Sequence, residues 1–97
     1  MFVDLNNIQD AKEFVALAQQ YDETLAIYPI DEKRLPILNR GVDAKSILGV
    51  FSLDLSRPVW FAAATNSKRK KEIYEDFKRF YAVRAIKAAK SSEDSNG

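Results

Sequence analysis

The chain has 97 residues, 46 % of them apolar and 30 % charged, enough for one globular domain and too few for a second independent core. It holds no cysteine and no histidine, which excludes disulfides, thiolate chemistry and imidazole chemistry alike. A net charge of +1 supplies no global attraction to nucleic acid or anionic membrane, and no apolar run approaches the roughly 18 residues that span a bilayer.

The start, Met1-Phe2-Val3-Asp4, has neither the basic nor the apolar region of a secretion signal, so a cytoplasmic protein is expected. Residues 2–5 alternate weakly and are short, the pattern of an edge strand, and Asn6-Asn7 breaks it. Asp10 stands three residues before Glu13, the capping-box spacing. Ala11, Phe14, Val15, Ala18 and Tyr21 follow at helical intervals, predicting an amphipathic helix over 10–21 with Asp10 as its cap. Residues 24–30 alternate as a strand. Asp31-Glu32-Lys33-Arg34 is a polar turn, and 35–42 reads as the returning strand of a hairpin, held to a sheet edge by Pro36, which lacks an N–H.

Asp43 can cap a second helix over about 45–53, which Gly49 weakens while letting a neighbour come close. After Pro58, residues 59–64 read as a buried strand in which Trp60 and Phe61 point to opposite faces. Asn66 or Ser67 should cap a long third helix with Ile73, Phe77, Phe80 and Arg84 on one stripe and Tyr81 beside it. Residues 1–90 then form the domain, and 91–97, polar and acidic, a disordered tail. The order βαββαβα predicts an α+β open-faced sandwich: a four-stranded antiparallel sheet with three helices on one face.

Two surface features carry competing readings. Lys68-Arg69-Lys70-Lys71 opposes the dipole of its helix, so it either meets an acidic partner or is a solvated start balanced by Glu72, Glu75 and Asp76. A broader basic face with exposed aromatics is missing, and Phe77, Phe80 and Tyr81 read as core packing, so nucleic-acid binding is not expected. The apolar continuation Ala82, Val83, Ala85, Ile86 and Ala89, with whichever of Trp60 and Phe61 faces the open side of the sheet, suggests a homodimer surface. No nucleophile–base pair, metal cluster or phosphate-cradling loop is visible, which points away from an enzyme and from any cofactor or metal.

Residues 42–53 read Val-Asp-Ala-Lys-Ser-Ile-Leu-Gly-Val-Phe-Ser-Leu. This run closely resembles HPr, the small phosphocarrier of the bacterial sugar phosphotransferase system, whose corresponding helix reads approximately N/D-A/L-K-S-I-M-G-V-M-S-L. Phe14-Val15, Ala18 and Tyr21 also look like the Leu-Val, Ala and Phe of the first HPr helix. The resemblance covers about residues 2–85, is specific only over 42–53, and implies the HPr-like fold.

It also exposes a departure. HPr carries phosphate on a histidine in a G-I-H-A-R-P-like segment at the start of its first helix. The matching stretch here, Leu5 to Lys12, has no His, Arg or Pro. Anchoring from the first strand puts Gln9 or Asp10 at the lost histidine, and anchoring back from the helix puts Asn7 there. An amide cannot carry a labile phosphoryl group, and Asp10 is better read as a cap than as an acyl-phosphate carboxylate. Asn7, Gln9, Asp10 and Lys12 therefore form a degenerate active-site segment, and histidine phosphotransfer is excluded.

In many Gram-positive HPr proteins the serine of the second-helix motif is a regulatory phosphorylation site, and it matches Ser46, with Lys45 placed to pair with the phosphate. The residues equally allow Ser46 to be a capping remnant. Ile47, Leu48 and Phe51 match HPr's partner-docking positions, rimmed by Lys45 and Arg40, while Val50 and Leu53 should face the core. The alternative is that all five apolar residues are core. The resemblance thus implies a docking or regulatory protein with partners of the phosphotransferase or carbon-control type. The competing reading is a structural or protein-interaction module on the same fold, with no phosphotransferase role.

Overall fold

Alternation along residues 25–28 and 59–63 sends Leu25, Ile27, Val59, Phe61 and Ala63 to one face, where all are buried. In the computed structural model, which describes residues 1–64 and 66–82, these two segments are the central strands of a four-stranded antiparallel sheet. The elements are β1 (Phe2–Val3), α1 (Ile8–Ala18), β2 (Leu25–Tyr28), β3 (Val42–Asp43), α2 (Ile47–Phe51), β4 (Val59–Ala63) and α3 (Lys70–Asp76). The strand order is β1-β4-β2-β3. Leu25 faces Ala63 and Tyr28 faces Trp60 across the centre, Phe2 faces Trp60 on one side, and Ala26 faces Asp43 on the other. The protein is therefore α+β, with the predicted element order. Among the described residues no helix is long and apolar enough to cross a membrane.

All three helices feed one core. Ala11, Phe14, Val15 and Ala18 come from α1, Val50 from α2 and Ile73 from α3. The Phe14 ring meets Phe61, Phe77 and Phe80 edge-on at centroid distances of 5.3, 5.1 and 5.3 Å. Phe77 and Phe80 are thus core, as their stripe implies. Trp60 emerges on the opposite sheet face, half-buried, with its ring edge-on to Phe2 at 4.8 Å.

Several boundaries differ from the sequence expectation. Asn7, not Asp10, caps α1: its Oδ1 accepts the Asp10 N–H at 2.8 Å, and its Nδ2 donates to the Asp10 carboxylate at 2.8 Å. The cap thus lies three residues upstream of the expected one, and the Asp10 side chain closes on the Asn7 side chain rather than on its backbone N–H. Tyr21 lies beyond the helix yet is buried, its hydroxyl donating to Asp76.

The returning strand expected over 35–42 is mostly absent. Asp31 Oδ1 accepts the N–H groups of Lys33 and Leu35 at 2.8 and 3.0 Å, and Arg34 takes a left-handed φ of 64° to close the turn. One bridge, Ile30–Pro36, follows before residues Leu38–Arg40 coil into a 3-10 turn. Pro36 therefore lies outside the edge strand. Gly41 leads into the pairing that remains, and a Cβ there would run into the Tyr28 ring and force it to shift.

Asp43 does not cap α2. Its Oδ1 accepts the Lys45 N–H at 2.9 Å and turns the chain out of β3, while Ser46 takes the cap and α2 begins at Ile47. Nor is the third helix long. It ends at Asp76, a 3-10 turn spans Lys78–Phe80, and Tyr81 then pairs with Val3 while Ala82 N–H donates to Phe2 O at 3.1 Å. The outer edge of β1 offers unpaired backbone groups there, and satisfying them overrides the helical pattern. Neither Asn66 nor Ser67 is its cap. Arg69 holds that position with no side-chain capping bond. Of the expected self-association residues, Ala82 is buried where the chain pairs with β1 and so offers no surface, while Val83, Ala85, Ile86 and Ala89, with Arg84, the domain limit at 90 and the tail 91–97, lie outside the described residues.

The basic run is partly absorbed by the fold. Arg69 donates twice to Glu72 at 3.1 Å, lies 3.7 Å from Glu23 and sits 4.9 Å over the Tyr21 ring. It ties the start of α3 to the end of α1.

Candidate docking site

The segment at the start of α1 is closed on itself. Asn7, Gln9 and Lys12 are exposed and Asp10 is half-buried. Asn7 Oδ1 satisfies one N–H of the first turn, that of Asp10, and the pair sets a carboxylate at the positive end of the helix. A phosphoryl dianion there would meet that carboxylate. Asn7 is the cap, and Gln9 and Asp10 stand in the first turn, so the three residues expected at the position of the HPr histidine all sit at the helix start.

α2 is built around its own cap. Ser46 Oγ accepts the Gly49 N–H at 3.0 Å. A Cβ on Gly49 would lie 3.2 Å from that oxygen and 3.3 Å from Val42 Cβ, so the glycine keeps both the cap and the approach to β3. Val50 is fully buried and fixes the helix rotation. At about 100° per residue, Leu48 then points nearly opposite to Val50, Phe51 to the side, and Ile47 back towards the core. Exposure follows that order: Leu48 is 82 % exposed, Phe51 39 %, and Ile47 is half-buried against the core. Of the expected docking set, Leu48 and Phe51 are the exposed apolar pair, and Leu53 packs on the core as Val50 does.

The expected basic rim is split. Lys45 is half-buried, its carbonyl accepts Gln19 Nε2 at 2.9 Å, and it lines a recess beside Tyr28 and Leu38. Arg40 lines a different recess, next to Ser52 and Leu53. The Gln19–Lys45 bond also sets the two candidate regions apart. It joins the end of α1 to the start of α2, whereas Asn7 lies about 18 Å away along the axis of α1. Ser46 and the degenerate segment are separate places on the surface.

Sequence reading missed the exposed apolar side chains of Ile8, Leu35 and Leu38. Ile8 falls off the stripe of Ala11, Phe14, Val15 and Ala18, which was the available signal. Leu35 and Leu38 were hidden by assigning them to a strand. Compared with models of known families, with curated proteins and with solved structures, the chain matches none.

The cap makes a direct prediction. Ser46→Ala should cost about 1 kcal/mol, because Gly49 N–H loses its acceptor, while Ser46→Asn should stay within a few tenths of wild type. Urea unfolding of the two variants measures the difference.

Proposed function

We propose that this chain is an HPr-like domain that has lost phosphocarrier activity and acts in the bacterial cytoplasm by docking partners of the phosphotransferase or carbon-control type. The observation that carries the reading is the surface of α2. The run resembling HPr ends in a helix whose Leu48 and Phe51 stand in solvent, although burying a leucine is worth about 1.5–3 kcal/mol. An exposed apolar pair beside polar residues is the form of a protein-docking anchor. The helix start at Asn7 and Asp10 supports the other half of the reading, because no imidazole stands there and the Asp10 carboxylate is engaged by Asn7.

Regulation is assigned to Ser46. The hydroxyl accepts from Gly49 and keeps its own O–H for transfer to a base, and a phosphate there would gain from the N–H groups of the turn and from Lys45. Because Ser46 is also the cap, alanine is a poor control for a kinase experiment, and Ser46→Asn keeps the cap while removing the hydroxyl.

With phosphoenolpyruvate and the general phosphotransferase enzyme, the protein should form a complex and take up no acid-labile phosphate. Stoichiometric labelling, or no complex at all, would sink the docking reading. With an HPr kinase and ATP, mass spectrometry should show one added phosphate that is lost in Ser46→Asn. An unmodified protein beside a fully modified HPr would leave Ser46 as a cap alone.

A further inference from the structure

Both central strands are apolar on their outer face as well as on the inner one. The outward residues of β2 and β4 are Ala26, Tyr28, Trp60 and Ala62, and Phe2 on β1 sets its ring edge-on to Trp60 at 4.8 Å. The only formal charge that the four strands place on that face is Asp43, on the far edge strand β3. An antiparallel sheet with one solvated face alternates apolar and polar residues, so strands apolar on both faces call for two covers. The helices supply the first, from the side of Phe61. On the outer side Gly41 closes on the Tyr28 ring, which leaves Phe2, Trp60, Ala26 and Ala62, all half-buried, to a second cover.

The chain itself arrives at the edge of this face. The Ala82 N–H donates to Phe2 O at 3.1 Å, and with Tyr81 paired to Val3 this sets residue 82 beside Phe2, along the outer edge of β1. The residues that follow in sequence are Val83-Arg84-Ala85-Ile86-Lys87-Ala88-Ala89-Lys90. Counted from Ala82, Ala85, Ile86 and Ala89 recur at i+3, i+4 and i+7, while Arg84, Lys87 and Lys90 fall between them, the pattern of an apolar stripe with a basic back. At the helical rise seven residues cover about 10 Å, and two strand separations are also about 10 Å, so the stripe has the length to pass from the sheet edge over β1 to β4. A second copy of the chain is the rival occupant. The tethered segment acts at a local concentration in the millimolar range, which a second copy in dilute solution does not reach.

We propose that residues 83–89 pack across the outer face of the sheet, with Ile86 against Trp60 and Phe2, as an intramolecular cover that withdraws this face from partner docking. The inference goes beyond the function proposed above and does not depend on the likeness to HPr.

The test uses the full chain, in which Trp60 is the only tryptophan and reports on the face directly. In isotope-labelled protein, nuclear Overhauser contacts should join the Ile86 methyl groups to the rings of Trp60 and Phe2, and dilution should leave them unchanged. A sample mixed from labelled and unlabelled chains should show none of these contacts between molecules. Ile86→Asp should remove them, shift the Trp60 emission to the red and raise its quenching by acrylamide, while the amide shifts around Phe14 stay in place. Lys87→Asp, on the basic side of the same segment, should leave the emission as in wild type. The proposal is overturned if Ile86 touches neither ring, if the contacts appear only between molecules, which would make the cover a second copy, or if Ile86→Asp leaves the Trp60 emission and quenching unchanged.

Discussion

Phe14→Ala is expected to remove about 3–5 kcal/mol of stability, the largest effect of any single substitution proposed for this chain. The ring is fully buried and is the point where three parts of the fold meet: β4 through Phe61, the end of α3 through Phe77 and the following turn through Phe80. Its loss removes the transfer energy of a large side chain, leaves a cavity that the strand-bound Phe61 cannot collapse to fill, and forfeits three edge-on contacts of about 0.5–1.5 kcal/mol each. These terms overlap and are not summed. A domain of this size holds about 5–15 kcal/mol in total, so the variant should be partly unfolded at physiological temperature. Urea unfolding should show a lowered midpoint at an unchanged slope. A loss under about 1 kcal/mol would mean that the core is not organised around this ring.

That core was legible because its signals are local and redundant. Ala11, Phe14, Val15 and Ala18 repeat at helical intervals and are all buried, and alternation put Phe61 and Trp60 on opposite faces, of which Phe61 takes the inner one. The boundaries were less legible because two residues of similar chemistry compete for each cap. Asn7 and Asp10 both fit the start of α1, and Asp43 and Ser46 both fit that of α2, and the spacing alone does not rank them. The end of α3 depended on something remote in sequence, the unpaired edge of β1 that takes Tyr81 and Ala82. The exposed apolar pair of α2 was half legible. Ile47, Leu48 and Phe51 were evident as a group, but a five-residue helix is too short for a stripe to show which of them faces solvent, and only the burial of Val50 sets the rotation.

Leu48→Asp combined with Phe51→Lys should abolish docking while leaving the fold intact. Under the proposed function, both side chains enter the partner's surface, and truncating such anchors costs 2 kcal/mol or more each, so affinity for the general phosphotransferase enzyme should fall roughly 100-fold or more. The two replacements are chosen so that charge does not confuse the result. Asp at position 48 sits in the first turn of α2 and Lys at 51 in its last, both favourable to the helix dipole, and the net charge of the chain is unchanged. Neither residue holds the core together, and unfolding should therefore stay within about 0.5 kcal/mol of wild type. The readout is competition: wild type should displace HPr from the enzyme, and the double variant should not. If the variant displaces HPr as well as wild type does, α2 is not the docking surface. If neither displaces it, HPr and this chain do not share a site on that enzyme, and the phosphotransferase link falls while the fold stands on its own observations.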